Sequence, residues 1–353
     1  MKISIPMSIY DLSPGMILAK DIYLNKTKIL SEGCTLTNSS IDKIKNFLNE
    51  SHIYIYDDNH SYEVDSESIR NSEEYKATEK LLNELYKESE NFFFNVKLNS
   101  KIDFNQVRSM SDTLLSSLKH TGLVIKNIND NKNNEDYQFR HLVNVSIWSS
   151  LMGKWLHLSE RDIMLLIFSG FLHDIGKSKI PEQILNKKSK LTREEQDIMK
   201  THCSKGYSLV KAIPFLDSSV SQATLFHHER IDGSGYPLRL TGDKTPLFAK
   251  IVGIIDIFDS MTSNRCYKEK ICALDALNSL KLDYVGKLDI SLVDTFVKNM
   301  CDYLTGESAL LSNGESCKLI KIDPLDVNHP LISVKDTFID LKQTRDLKIL
   351  DIL

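Results

Sequence analysis

The spacing of apolar residues divides the chain into a mixed amino-terminal stretch, a long helical region and an alternating carboxy-terminal stretch. Within residues 1–66, the segments 16–22 and 27–30 are strand-like and are flanked by turn-forming residues. The pattern also predicts a short helix over residues 39–49 and a strand over 53–56. We therefore expect a small β-rich module at residues 1–66.

Residues 67–133 are charged and have helical periodicity, which predicts a helical connector. One apolar face contains Leu82, and a second contains Val107 and Met110. Two such faces favour a two-helix connector that serves as a hairpin, a dimer interface or a signalling stalk. The polar run at residues 127–135 indicates a linker and a domain boundary.

Residues 134–302 form the largest block with helical periodicity. After it, residues 303–353 alternate as short strands, with a hairpin turn signal at Asn313-Gly314. The predicted fold class is therefore mainly α. It consists of a helical bundle, a small β-rich module before it and a short β-rich appendage after it.

The composition is that of an ordinary globular protein, with 41% hydrophobic and 26% charged residues. A net charge of −4 argues against binding to a nucleic acid polymer but permits a small anionic substrate. The sequence shows no membrane-spanning run and no signal-peptide core. Six scattered cysteines without a CxxC pair are typical of reduced thiols, so we expect a cytoplasmic protein without membrane attachment.

The helical block places histidines and aspartates beside apolar helical segments. His173-Asp174 ends the apolar run 163–172, where unpaired ionisable groups would be costly. The candidate metal ligands are His141, His173, Asp174, His202, His227, His228 and Asp256. Five imidazoles and two carboxylates exceed the needs of one octahedral ion, so they indicate two ions about 3.5–4 Å apart, bridged by one aspartate. A set rich in imidazole favours iron or manganese.

Three cationic residues accompany these candidates. Lys177 lies four residues after His173, and Arg265 and Lys268 follow Asp256 by nine and twelve residues. Arginine holds phosphate by two parallel hydrogen bonds, whereas lysine holds it as a point charge. A single buried histidine is more often a core side chain that bonds a carbonyl group. The occurrence of seven candidates in one block is what indicates a metal centre.

These residues resemble the motifs of the HD-GYP family of bacterial cyclic di-GMP phosphodiesterases, a branch of the HD-domain metal-dependent phosphohydrolases. The matching segments are Tyr137-Gln138-Phe139-Arg140-His141, Leu172-His173-Asp174-Ile175-Gly176-Lys177, residues 180–185, His202, His227-His228-Glu229, Asp232-Gly233-Ser234-Gly235-Tyr236-Pro237 and residues 256–268. The resemblance covers about half of the chain. It implies a helical bundle around a two- or three-metal centre, usually iron or manganese, with the seven candidates as ligands and Asp174 as the bridge.

The resemblance also implies roles on the substrate side. Lys177 would contact the substrate phosphate or the metal-bound hydroxide, and Arg265 and Lys268 would contact phosphate. Asp259 would take a supporting position beside the substrate, and the Gly235-Tyr236-Pro237 loop would border the site.

The chain departs from the family pattern at two positions. Members with three metals carry a Glu four residues before the first ligand histidine, where this chain has Tyr137, so we expect two metals. Cys266 follows Arg265 where Pro is common, and this change would loosen a turn near the phosphate contacts.

The expected function is hydrolysis of cyclic di-GMP to pGpG, and on to GMP in a second round, by a hydroxide shared between two metal ions. Asp174 and Lys177 are the predicted catalytic residues. Three alternatives stay open: a cyclic di-GMP receptor with negligible turnover, an HD hydrolase of another cyclic dinucleotide or nucleotide, and a structural helical protein. The further expected partners are a second copy of the chain, bound through the connector, and a diguanylate cyclase or another signalling protein.

Overall fold

The computed structural model describes residues 3–9, 12–24, 27–47, 52–57, 70–118, 121–130, 137–264, 270–335, 337–344 and 346–353. The helices in these ranges are α1 (Asn38–Phe47), α2 (Glu73–Asn99), α3 (Phe104–Ser117), α4 (Thr121–Asp130), α5 (Tyr137–Trp155), α6 (Glu160–Leu172), α7 (Glu182–Leu185), α8 (Arg193–Lys200), α9 (His202–Lys211), α10 (Ser218–Phe226), α11 (Leu247–Thr262), α12 (Ala273–Leu282) and α13 (Ile290–Leu304). The strands are β1 (Ile3–Ser8), β2 (Ile17–Leu18), β3 (Ile22–Leu24), β4 (Thr27–Leu30), β5 (His52–Asp57), β6 (Ser308–Leu311), β7 (Ser316–Asp323), β8 (Asp326–Val334), β9 (Thr337–Asp340) and β10 (Ile349–Ile352). Short 3-10 helices cover Ile175–Lys179 and Gly242–Lys244. The predicted mainly α class, with small sheets towards both ends, is confirmed.

The amino-terminal strands and α1 enclose an apolar core of their own. Strands β1 and β2 flank β5 in an antiparallel sheet, and β3 pairs separately with β4. Ile41 and Ile44 of α1 are buried in the same cluster as Ile53 and Ile55 of β5. Strand β1, which contains Pro6, was not among the predicted strands. The structure accommodates Pro6 because β1 is an edge strand, which needs fewer backbone donors.

The described residues of the connector include the three helices α2, α3 and α4, where the sequence pattern predicted two. Its apolar residues, including Leu82 and Met110, are buried in the same core as the helices that follow. The polar run from residue 127 begins inside α4 rather than in a linker. Asn127 is buried there because its amide donates to the carbonyl group of Leu123 within the helix. The homodimer through the connector stays a prediction.

A hydrogen-bonded cluster joins the start of the connector to its end. Tyr75 Oη of α2 donates to Asp130 Oδ2 at 2.7 Å, and Arg70 donates two hydrogen bonds to the same carboxylate. Burial raises the pKa of Asp130, but the hydrogen bonds from Arg70 and Tyr75 outweigh that effect and hold the pKa below its ordinary value. The ionised carboxylate therefore stabilises the docking of α2 on α4.

The carboxy-terminal strands form one antiparallel sheet in the order β10-β6-β7-β8-β9. The predicted hairpin at Asn313-Gly314 joins β6 to β7, and Gly314 has the positive φ of 85° that this turn needs. The inward side chains of the sheet, such as Leu319 and Ile332, belong to the same core as the helical bundle. The sheet therefore packs as part of the bundle.

The main core lies between α5, α6 and α11, which carry most of the site residues described below. Trp148 of α5 packs edge to face on Phe258 of α11, with 5.8 Å between ring centroids. Phe171 of α6 is fully buried beside them in the same cluster. Among the described residues, no helix is both long enough and apolar enough to cross a membrane.

We expect Asp130→Asn to lower the free energy of unfolding at pH 7 by about 1–2 kcal/mol, because the amide loses charge-assisted hydrogen bonds. The pKa of Asp130 is lowered in the folded state. Its contribution is therefore present above the unfolded pKa and is lost as the pH falls through the folded value. Urea denaturation at pH 7 and in acid measures the effect. The exposed Asp197→Asn is the control, and equal stability of Asp130→Asn and wild type at pH 7 would contradict the expectation.

Candidate metal centre

Several helix ends meet at one buried carboxylate, that of Asp174. The predicted ligands come from five places in the fold: His141 from α5, His173 and Asp174 from the end of α6, His202 from the start of α9, His227 and His228 from the end of α10, and Asp256 from α11. Residues separated by more than a hundred positions therefore converge on one side of the main core.

Three of the histidines are held by the same local device. His173, His202 and His227 each follow a helix end, and Nδ1 of each lies 2.7–3.0 Å from the carbonyl oxygen three residues earlier. Those carbonyl groups lie in the last turns of α6, α8 and α10, where the regular intrahelical donors run out. A carbonyl oxygen can only accept, so each Nδ1 carries the proton and each Nε2 presents a lone pair.

The two oxygens of Asp174 face two different pairs of imidazoles. Asp174 Oδ1 lies 3.2 Å from His202 Nε2 and 3.8 Å from His227 Nε2. Asp174 Oδ2 lies 3.3 Å from His173 Nε2 and 3.8 Å from His141 Nε2. This is the arrangement that a bridging carboxylate requires.

A second carboxylate, Asp256, closes the other side of the cluster. Its Oδ1 lies 3.1 Å from His141 Nε2, and its Oδ2 lies 3.7 Å from His228 Nδ1. The structure thus brings all seven predicted ligand side chains together. Asp256 and His228 have side chains 13% and 18% exposed, whereas Asp174 is 3% exposed, so the cluster opens towards solvent on the side of Asp256 and His228.

His141 lies near the start of α5 and is supported by a residue distant in sequence. Asp259 Oδ2 lies 2.7 Å from His141 Nδ1, and Asn144 donates to Asp259 Oδ1 at 3.0 Å. Asp259 is therefore buried behind His141, away from the open side of the cluster. Tyr137, which stands where three-metal relatives have Glu, stacks on the His141 ring at 5.2 Å between centroids.

The geometry of the cluster fits metal ions. The Nε2 atoms of His141 and His173 lie 3.3 Å apart, and those of His202 and His227 lie 3.5 Å apart. Two nitrogens bound to one ion at about 2.1 Å each would be roughly 3.0–3.5 Å apart. Facing lone pairs repel unless a cation lies between them. Within the described part of the chain, no group donates a hydrogen bond to the buried Asp174 Oδ1, which a cation would satisfy.

The electrostatics of the cluster favour an ionised Asp174 and a neutral His227. Burial raises the pKa of Asp174, but the charge of Lys177 outweighs it and holds the pKa well below its ordinary value. Burial lowers the pKa of His227 to about 3.

His141 differs from His227 in this respect. Burial lowers its pKa, but hydrogen bonds to Asp256 and Asp259 outweigh that effect and raise it to about 9. Binding of a metal through its Nε2 therefore requires the loss of a proton.

Of the three predicted phosphate contacts, Lys177 is in the described part of the chain. Its Nζ donates to Asp174 Oδ2 at 2.5 Å, and its side chain is 26% exposed at the edge of the cluster. Arg265 and Lys268 lie outside the described residues.

The loop at residues 232–237 is fastened beside His228. The ring of Tyr236 lies 4.6 Å from the His228 ring, and Tyr236 N donates to the His228 carbonyl. The buried carboxylate of Glu229 accepts from the backbone N–H groups of Leu238 and Leu240, which ties down the far side of the loop. A Cβ atom on Gly235 would lie 2.4–2.5 Å from the backbone of residues 228–230, so only glycine fits there.

Sequence reasoning missed Cys203 as a member of this cluster. Its buried Sγ lies 3.4 Å from His202 Nε2, and the ligand atoms of Cys203, His202, His227 and His228 all lie within 4.8 Å of one another. No cysteine motif marks it. The one available signal was its position directly after a candidate ligand.

Gly176 allows the backbone that follows Asp174 to lie in close contact with the backbone of α9. A Cβ atom at this position would lie 1.9 Å from the carbonyl oxygen of His202 and 2.5 Å from the backbone nitrogen of Gly206. Backbone atoms cannot yield as a flexible side chain can. The close contact therefore fixes the distance between Asp174 and His202.

Gly176→Ala is expected to push α9 away from Asp174, lowering the free energy of unfolding by about 3 kcal/mol and weakening metal binding. Thermal denaturation and metal titration of purified protein measure both effects. Ser178→Ala is the matched control in the same 3-10 helix, because the described part of the chain offers its buried hydroxyl no hydrogen-bond partner. Wild-type stability and metal affinity in Gly176→Ala would contradict the close contact.

The chain is similar to several known proteins. Residues 122–292 match the family model described as HD domain. The chain is 29% identical over 223 residues to a cyclic di-GMP phosphodiesterase of Pseudomonas aeruginosa, covering 63% of this chain and 53% of that protein. It is 31% identical over 182 residues to a 3′3′-cGAMP-specific phosphodiesterase of Vibrio cholerae, covering 51% of this chain and 42% of that protein. The chain thus spans about half the length of these relatives.

The fold also resembles a solved structure, an HDG"Y"P protein from Bdellovibrio bacteriovorus. The TM-score is 0.50, the identity is 17%, and the match covers 83% of this chain and 98% of that one. At this identity the likeness shows a shared fold.

Proposed function

The chain belongs to the HD-GYP family of HD-domain proteins, and on that basis we propose that it is a phosphodiesterase that hydrolyses cyclic di-GMP with the help of two metal ions. One observation carries the proposal: the two oxygens of the buried Asp174 face two separate pairs of imidazole Nε2 atoms. A carboxylate shared in this way suits a pair of cations and has no evident purpose in core packing.

The residues that would hold the ions divide into two sets around Asp174. One set consists of His141, His173 and Asp256. The other consists of His202, His227 and His228. Neutral imidazoles and carboxylates suit iron or manganese, the metals we propose. When bound, such ions would activate a water molecule and offset negative charge on the phosphoryl group.

The surrounding residues position the substrate in this proposal. Lys177, at the partly exposed edge, would bind a non-bridging phosphate oxygen with the charge it now directs at Asp174. Arg265 and Lys268 would bind the second phosphate or the same one from outside. Tyr236 and the loop held by Glu229 would form one wall of the substrate cleft.

The proposed reaction cleaves one 3′–5′ linkage. A water oxygen forms the new bond to phosphorus, the bond from phosphorus to the 3′ oxygen breaks, and that oxygen takes up a proton. The product is linear pGpG, and the same reaction on its remaining linkage gives GMP. Asp259 would keep Nε2 of His141 directed at the bound ions during this reaction. The carbonyl groups at helix ends would do the same for the other three histidines.

We expect Asp174→Ala to abolish both hydrolysis of cyclic di-GMP and stoichiometric metal binding, since it removes the one group that both sets of ligands share. Chromatography of the products and elemental analysis of anaerobically purified protein provide the measurements. Asp197→Ala, an exposed carboxylate on α8, is the control. Equal rates in wild type and Asp174→Ala would refute the proposal. Tight binding by a metal-loaded wild type that forms no product would support a receptor instead.

Lys177→Met tests the phosphate contact separately from metal binding. The expected result is a fall in kcat of about 100-fold, the usual effect of losing one group that stabilises developing charge, with unchanged metal content. Lys200→Met, an exposed lysine on α8, should leave kcat unaltered. A kcat for Lys177→Met within a factor of two of wild type would exclude this role.

A second candidate substrate is 3′3′-cGAMP, because the name of one relative described above is that of a 3′3′-cGAMP-specific phosphodiesterase. The two cyclic dinucleotides share the phosphodiester linkage and differ in one base. The assay used for Asp174→Ala therefore includes both, and the higher kcat/KM identifies the substrate of this chain.

A further inference from the structure

The connector helix α2 contacts the residues that support His141 in the candidate metal centre, although α2 lies outside the matched residues 122–292. Tyr86 of α2 is buried, and its hydroxyl group donates to Asn144 Oδ1 at 3.3 Å. Asn144 in turn donates through Nδ2 to Asp259 Oδ1, and Asp259 Oδ2 lies 2.7 Å from His141 Nδ1. Four side chains thus form one continuous chain from the connector to a proposed ligand.

The direction of every hydrogen bond in this chain is fixed by chemistry. The Asp259 carboxylate can only accept, so His141 and the Asn144 amide nitrogen must both donate to it. The amide oxygen of Asn144 then faces away from Asp259 and needs a donor, and the Tyr86 hydroxyl is that donor. We propose that Tyr86 is a positioning residue for His141, so that α2 is a structural part of the metal centre.

Two further contacts hold helix α2 against the segments that carry the proposed ligands. The guanidinium group of Arg140, the residue before His141, lies 4.2 Å from the centre of the Tyr86 ring. Lys179, at the end of the 3-10 helix that follows Asp174, donates to the carbonyl groups of Val96 and Lys97 in the last turn of α2. Helix α2 is therefore tied to the segments that carry the proposed ligands both at Tyr86 and at its carboxy-terminal end.

Loss of the Tyr86 hydroxyl would leave Asn144 Oδ1 buried without this donor. The amide would then rotate or shift, its hydrogen bond to Asp259 would weaken, and Asp259 would orient His141 less well. Removal of a group that supports a ligand from behind typically weakens metal binding 10- to 100-fold. Because two other residues stand between Tyr86 and His141, we expect the lower end of that range.

The test is a metal titration of Tyr86→Phe, using Mn²⁺ or Co²⁺ with metal-free protein and calorimetric detection. Tyr75→Phe is the matched control, because it removes another tyrosine hydroxyl from α2, one that donates to Asp130 away from the cluster. Both variants lose some thermal stability. Only Tyr86→Phe should bind metal about 10-fold more weakly and alter the visible spectrum of the Co²⁺-loaded protein.

A double mutant separates positioning from a general loss of structure. If Tyr86 acts through Asp259, Tyr86→Phe should weaken metal binding little or not at all in an Asp259→Asn background. Wild-type affinity in Tyr86→Phe, or full additivity with Asp259→Asn, would overturn the inference. The inference rests on the proposed metal centre but not on its substrate. A wild type that binds no metal would end both, whereas equal affinities of wild type and Tyr86→Phe would end this one alone.

Discussion

The structure depends on the burial of one carboxylate, Asp174, among imidazoles whose lone pairs point towards it. Lys177 donates to one oxygen of Asp174, but in the described part of the chain the other oxygen has no donor, which is costly for a buried anion. Lone pairs held 3.3–3.5 Å apart add repulsion. Helix ends supply the geometry, because their free carbonyl groups hold Nδ1 of His173, His202 and His227 and turn each Nε2 inward. The arrangement is unfavourable without cations and favourable around them, so the folded state is suited to binding metal ions.

The main core maintains this unfavourable cluster. Trp148 and Phe258 pack between α5 and α11, the helices that carry His141 and Asp256. Gly176 brings the segment after Asp174 into backbone contact with the start of α9. Because these contacts are apolar or made by the backbone, they do not depend on metal. They hold the ligands close together before any ion binds, which reduces the reorganisation that binding requires.

The sequence sufficed to single out the seven side chains that meet around Asp174, but it did not predict the hydrogen bonds that support them. Pairs such as His173-Asp174 stand out because ionisable groups are rare at the ends of apolar runs. The bonds from Tyr86 to Asn144 and from Asn144 to Asp259 join residues 58 and 115 positions apart, and no periodic pattern records such a contact. The third connector helix was missed for a local reason. The polar run that begins at Asn127 has the composition of a linker, but the Asn127 amide nitrogen donates to the Leu123 carbonyl group within α4.

His141 is supported in a different way from the histidines at helix ends. His202 and His227 are oriented by carbonyl groups three residues away, so their geometry is set as soon as the preceding helices form. His141 depends on Asp259, which is 118 positions distant and reaches it only when α11 has packed against α5. Its orientation therefore depends on tertiary packing, including the docking of α2 through Tyr86. Any change in the connector should therefore affect the orientation of His141 before that of the histidines at helix ends.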